Sequence, residues 1–137
     1  MRILVSGGRG SFSRALISCK TIHEIFPISK EEMDVSCAKQ IEECLKKYEP
    51  DIVIHAAAIT RPMSKHEKRP DLSISSNIIG TANITIECMK RGTKLVYIST
   101  DHVYPGIRGN YSEEDSLKPV NKYAWSKLGG ECSVALY

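Results

Sequence analysis

Apolar residues along this chain gather in short uninterrupted runs, separated by stretches in which they recur at helical spacing. "RILVS" at 2–6, "DIVIHAAA" at 51–58 and "KLVYIST" at 94–100 each read as a strand buried on both faces. "HEIFPIS" at 23–29 is a weaker run in which Pro27 predicts an edge or irregular position, and "MDV" at 33–35 reads as a short further strand. "GSFSRALISC" opens a helix directly after a glycine turn. Ala38, Ile41, Leu45 and Tyr48 fall on one face of a second helix, with Ser36 placed to cap it and Pro50 to stop it. Residues 61–69 read as a charged loop, and a long helix spans 71–91 with Gly92 as its C-terminal cap. "PGIRGN" is turn-rich, and a last helix runs from near Asn121 to the end of the chain.

Apolar strands alternating with helices predict a parallel sheet covered on both faces. The fold class is therefore α/β, a Rossmann-like doubly wound sheet of strand order 3-2-1-4-5, as one domain over residues 1–137. Such sheets bind ligands at the carboxyl ends of their strands. Candidate site residues should then follow the first, fourth and fifth runs, and they do.

Composition narrows the function classes. A chain of 137 residues with 42% hydrophobic and 26% charged residues suits one compact domain with a sizeable core. A net charge of +3 and only 7% aromatic residues point away from nucleic acid as a partner, while small anionic ligands fit. No apolar run approaches the ~18 residues that span a membrane, and "MRILVSGG" lacks a signal-peptide layout. Five cysteines without a CxxC argue against a disulfide framework or a zinc site. Buried reduced thiols, no metal ligand set and a cytoplasmic location are the expectations.

"SGGRGSFS" supplies the first candidate chemistry. Gly7 and Gly10 stand where a tight turn and close approach of a pyrophosphate require glycine, and the helix that follows offers unpaired N–H groups. Ser13 stands where a third glycine is usual. Dinucleotide folds specific for NAD place an acid about 20 residues on. Here the strand end reads Ser29-Lys30, which with Arg9 suits a 2′-phosphate and leans the reading to NADP. The other reading of Arg9 and Lys30 is that both are solvated.

Tyr123 and Lys127 are four residues apart on the last helix and share a face. A neighbouring ammonium favours the phenolate form of a tyrosine, which can then donate a proton to a carbonyl oxygen and be restored. Taken alone, such a pair also fits an amphipathic helix with a solvated lysine. Ser99, Thr100 and Asp101 close the fifth run, where a hydroxyl can polarise a carbonyl. Ala56, Ala57 and Ala58 close the fourth, small enough for a flat cofactor to lie against backbone. Asn77, if it points inward, can hold a water beside Lys127. The run Arg61, Lys65, His66, Lys68 and Arg69 suits a diphosphate or a solvated loop, and His23 and His55 read as structural.

Together, "SGGRGSFS", "MDVSC", "PDIVIHAAAITRP", "SSNIIGTANI", "LVYISTDHVYPG" and "YSEEDSLKPVNKYAWSKLGGE" resemble an extended short-chain dehydrogenase/reductase, and more narrowly the dTDP-4-dehydrorhamnose reductase group. The resemblance covers essentially the whole chain. It implies that Gly7 and Gly10, with the intervening backbone of Gly8 and Arg9, hold the pyrophosphate and that Asp34 and Val35 flank adenine, with Ser11, Phe12, Ser29 and Lys30 counted among the cofactor-binding residues. Ala56, Ala57, Ala58 and Ser99 would line the path of NADPH, with NADH as the alternative. Catalytic roles fall to Thr100 on the substrate carbonyl, Tyr123 as proton donor, Lys127 on the nicotinamide ribose and Asn77 in support. Asp101 and His102, with Thr100, would meet a nucleotide-sugar substrate, and no metal is implied in the chemistry. The implied activity is NADPH-dependent reduction of a nucleotide-sugar 4-ketone, as in dTDP-rhamnose biosynthesis.

His55 stands where the group often has asparagine and Ala124 where glycine is frequent. Members of the group continue beyond the Tyr-Lys helix into a substrate-binding region, and the expectation is that such a region is absent here. Three expectations follow. The chain is a reductase, a non-catalytic dinucleotide-binding regulatory subunit, or an inactive fragment of such a reductase. An incompletely covered sheet predicts association, as a homo-oligomer or with a partner subunit.

Overall fold

The computed structural model describes all 137 residues, Met1–Tyr137. Four parallel strands form one sheet: β1 (Arg2–Ser6), β2 (Glu24–Ile28), β3 (Ile52–His55) and β4 (Lys94–Tyr97). Their order is β2-β1-β3-β4. Around them run α1 (Ser11–Ser18), α2 (Ala38–Tyr48), α3 (Met63–Lys68), α4 (Pro70–Ser73), α5 (Gly80–Arg91) and α6 (Lys122–Val134). A π-helical segment, Ile74–Ile79, joins α4 to α5, and a 3-10 turn covers Asp101–Val103.

The core lies where the central strands meet α2 and α5. Leu4 and Val53 from the sheet pack with Ile41, Leu45, Ile84 and Cys88 from the helices, all fully or almost fully buried. Central strands read as continuous apolar runs because both faces are covered, whereas β2 is an edge whose Pro27 costs no ladder bond to a further neighbour. β4 is the opposite edge, and Val96 there is exposed. No helix is long and apolar enough to cross a membrane. No group of three or more His, Cys, Asp or Glu side chains is gathered as a metal site would require.

Several sequence expectations are corrected. Residues 33–35 are not a strand, so the sheet lacks its expected outermost member. Met33 and Val35 are buried, yet the backbone here turns: Met33 N–H donates to Ser29 O (2.9 Å), and Asp34 Oδ1 accepts from the Ser36 amide (2.9 Å). Ser36 is thereby drawn to Asp34, and Cys37 stands at the N-cap of α2 with no side-chain cap. Residues 61–69 are not simply a loop, because α3 forms within them. The fourth and fifth runs are strand only over β3 and β4. Only Cys44 and Cys88 are buried, Cys37 is partly so, and Cys19 and Cys132 are exposed, with all five thiols free.

Two helix ends follow their residues. Gly92 adopts φ +63°, the left-handed conformation of a C-terminal cap, and its N–H reaches back to Met89 O (3.3 Å). Asn121 Oδ1 accepts from the Ala124 amide (2.8 Å), fixing where α6 begins and hence the rotation of Tyr123 and Lys127 about its axis.

Candidate active site

The crevice follows from how the first βα turn is packed. Gly7 turns the chain out of β1 at φ +75°, and a Cβ on it would lie 2.9 Å from the backbone of Ala57. A Cβ on Gly8 would come within 2.6 Å of the Pro27 carbonyl carbon, and Gly8 N–H donates to Ile28 O (2.7 Å). The turn therefore lies directly on the ends of β2 and β3. Gly10 is less confined, since its Cβ would meet only Gly7 O at 3.1 Å. Ser13 does the work expected of a third glycine by another means: it is fully buried, and its Oγ donates to Gly7 O (2.9 Å).

Two adjoining clefts open over the carboxyl ends of the strands and share Gly7, Gly10, Ala56 and Ala58. One, of about 270 Å³, is lined by Arg9, Lys30, Glu31, Asp34, Val35 and Ala57 among others. The second, of about 260 Å³, is lined by Ser11, Phe12, Ser99, Tyr123 and Lys127. The structure thus brings the glycine turn, the alanines and the Tyr-Lys pair to one continuous crevice. Ser29 lies at the turn after β2, where its carbonyl accepts the Met33 amide. Thr100 and Asp101 line a neighbouring depression with Glu131 and Tyr104. There Thr100 caps the 3-10 turn, its Oγ1 accepting from the His102 amide at 3.3 Å.

Lys127 is 2% exposed. Its Nζ donates to Ile98 O (2.7 Å) and sits 4.1 Å above the Tyr97 ring. Burial disfavours its charged form and lowers its pKa to about 8, with Glu131 opposing the shift. Tyr123 is also buried, and two imidazoles contact its ring: His66 at 5.1 Å between centroids and His102 edge-on at 5.8 Å. His66 is buried with Nδ1 2.7 Å from Ser73 Oγ, while its Nε2 has no hydrogen-bond partner.

Asn77 does point inward, but its amide does not stand free for a water. Oδ1 accepts from Ile59 N–H (2.8 Å), and Nδ2 donates to Ile59 O (3.0 Å) and to Ser126 Oγ (2.8 Å). Ser126 Oγ in turn donates to Tyr123 O (2.7 Å). The side chain therefore ties the segment after β3 to the helix carrying Tyr123. Its place on the π-helical turn aims it there, as such turns commonly do at functional sites.

A second buried chain of polar groups runs beneath the crevice. Thr81 Oγ1 donates to Asn77 O (2.7 Å), so it accepts from His55 Nε2 (3.0 Å). That leaves His55 Nδ1 to accept from Ser6 Oγ (2.7 Å), which itself accepts from Ala57 N–H (3.2 Å). Each group is satisfied with His55 neutral. Burial and the Lys127 charge lower its pKa from 6.5 to about 3. Below pH 6.5 the unfolded chain therefore binds a proton that the folded chain refuses, and stability falls as pH drops from 6.5 towards 3. Glu31, Glu32 and Asp34 are held below ordinary values of 4.5, 4.5 and 3.8, so their share is lost only lower in the range. Urea unfolding between pH 7 and 5 should show the decline, and His55→Asn should flatten it.

Tyr97 and Glu31 were not anticipated among the site residues. Tyr97 reads as one more apolar strand position, and only β4 pairing with His55 opposite it shows that its ring lies under Lys127.

A family model described as RmlD substrate binding domain matches residues 1–137. The chain belongs to this family. Among relatives of this RmlD-family chain, dTDP-4-dehydrorhamnose reductase of Burkholderia thailandensis is 32% identical, over 98% of the chain and 46% of that protein. Methionine adenosyltransferase 2 subunit beta of Mus musculus is 29% identical, over 97% of the chain and 42% of that protein. A crystal structure of dTDP-4-dehydrorhamnose reductase from Bacillus anthracis in complex with NADP superposes with a TM-score of 0.93 at 33% identity, over 98% of the chain and 49% of the crystallised one. The chain thus spans about half the length of the relatives it matches.

Proposed function

We propose that this chain binds NADPH as one dinucleotide-binding domain and carries the proton-donating residues for reduction of a nucleotide-sugar 4-ketone, the dTDP-4-dehydrorhamnose reductase reaction. The observation that carries the reading is that Tyr123 and Lys127 line the same crevice as the glycine turn. Support for the cofactor comes from the fit: Gly7 and Gly8 let the turn seat directly on the backbone of Ala57 and Pro27, and Gly7, Gly10, Ala56 and Ala58 line the cleft beside it. Bound NADPH supplies the hydride to the ketone carbon. Tyr123 gives its phenolic proton to the ketone oxygen, so an alcohol forms with atoms and charge balanced. Lys127 steadies the phenolate left behind and holds the ribose. Thr100, Asp101 and His102 take the substrate side, and short-chain dehydrogenase/reductase chemistry of this kind uses no metal.

The likeness to methionine adenosyltransferase 2 subunit beta favours a second reading, in which the chain holds the dinucleotide as a regulatory subunit of a partner enzyme. Exposed Trp125 and Val96 suit association with a partner or a second copy. One experiment separates the readings. NADPH is titrated into the purified chain, a dTDP-4-keto-6-deoxy sugar is added, and loss of NADPH absorbance is followed. Turnover is expected. Binding without turnover supports the regulatory reading, and no binding overturns both.

A further inference from the structure

A proton given up by Tyr123 has to be replaced from water before the next turnover, yet Tyr123 is buried, at 8% exposed. The groups packed around it therefore decide the way back. Lys127, on the same helix, is buried with its Nζ held by Ile98 O (2.7 Å). Tyr97, on β4, donates its hydroxyl proton to Lys127 O (3.3 Å). His66, on α3, is buried and tied through Nδ1 to the equally buried Ser73 Oγ (2.7 Å). The Asn77 amide is fully engaged with Ile59 and Ser126. None of these four side chains is exposed.

His102 is the exception. It is exposed, and its imidazole meets the Tyr123 ring edge-on, with 5.8 Å between centroids and 78° between planes. Both ends of the contact are held. Thr100 Oγ1 accepts the His102 amide (3.3 Å) and so caps the 3-10 turn that carries the imidazole. Asn121 has its Oδ1 taken by the Ala124 amide, which turns Nδ2 to within 3.5 Å of His102 Nδ1. The residue that starts α6, and with it the rotation of Tyr123, thus also borders the imidazole. Imidazole is the side chain that both takes and gives a proton near neutral pH.

The geometry points to His102 as the residue that returns a proton to Tyr123 from solvent. This inference rests on Tyr123 being the proton donor of the reading above. Once the alcohol has left, an imidazolium N–H bond on His102 breaks as the Tyr123 O–H bond re-forms, directly or across one water. His102 is left neutral and takes its next proton from hydronium or a buffer acid. Each turnover then consumes one solvent proton, which balances the hydride delivered to the ketone. In this step His102 acts through Tyr123 and not on the ketone. Water that enters the crevice is a poor acid near neutrality, so the imidazole outcompetes it.

The test reads the Tyr123 hydroxyl itself. The full chain is labelled with carbon-13 at Cζ of its six tyrosines. Solvent exchange of each hydroxyl is followed by NMR in mixed light and heavy water, with the Tyr123 line assigned by its loss in Tyr123→Phe. His102→Phe keeps a ring against Tyr123, and His102→Ala leaves a gap. The position is exposed, and the remaining tyrosine lines report that the fold persists. Both variants are expected to slow Tyr123 exchange by about 10²-fold, the low end of what a positioned acid–base group contributes. Added imidazole should restore exchange in His102→Ala, where it fits, and not in His102→Phe, a difference that a packing role would not give. If neither variant slows exchange by more than about twofold, or imidazole restores neither, the return step is overturned whether or not the wild type reduces a ketone. If exchange depends on His102 in this way but the wild type with NADPH reduces no ketone, the reductase reading falls and the return step with it.

Discussion

Tyr123→Phe is expected to lower turnover of a nucleotide-sugar ketone by about 10²–10⁴-fold, the range that a positioned general acid contributes. NADPH binding should change little. The phenyl ring keeps its place between His66 and His102, because those contacts are made to the ring and not to the hydroxyl. Initial rates with saturating NADPH, set beside calorimetric titration of the same variant, separate the two effects. Unchanged turnover would place the proton donor elsewhere. The wild-type rate should also decline above about pH 8. Lys127 is held at about 8 by burial, and above that its ammonium is lost from beside the phenolate it must steady.

Asn77→Ala should cost about 2–6 kcal/mol of folding stability, since it removes the partners of two backbone groups at about 1–3 kcal/mol each. Ile59 N–H and Ile59 O both lose their bonds, and Ser126 Oγ loses a donor. The melting temperature should drop by about 10 °C. Ser126→Ala, which leaves both Ile59 bonds in place, should cost about 1 kcal/mol. Thermal unfolding followed by circular dichroism compares the two. Equal losses would mean that the contact with α6, and not the tie to Ile59, carries the effect.

The sequence showed the sheet, the long helix, the glycine turn and the Tyr-Lys pair because each rests on local rules: apolar runs, helical spacing, and glycine where a side chain has no room. It did not show where the strands stop. Ala56–Ala58 extend the apolar run, but the pairing of β1 with β3 ends at Ser6 opposite His55, and the chain then leaves the sheet. Met33 and Val35 are core residues held by turns, and burial alone does not distinguish a turn from a strand. α3 has Met63 as its one apolar residue and therefore no apolar spacing to reveal it. Asn77 read as a residue that holds water, because its partner Ile59 is 18 positions away and the bond is visible only in three dimensions. Glu31 escaped notice because the strand was read one residue too long.

The π-helical turn from Ile74 to Ile79 makes chain length itself a coordinate of this site. A π turn is an α-helix that has taken in a surplus residue. Loss of one residue there would let α4 and α5 run together as ordinary helix, with no hydrogen bond lost along the backbone. Everything before the deletion would nonetheless swing by about 100° against everything after it. Asn77 could then keep its alignment with Thr81 or with the segment after β3, but not with both. A one-residue deletion in this stretch would leave the helix intact and dismantle the crevice. Any alignment used to carry residue roles between relatives must therefore settle the gap at 74–79 before it assigns an asparagine.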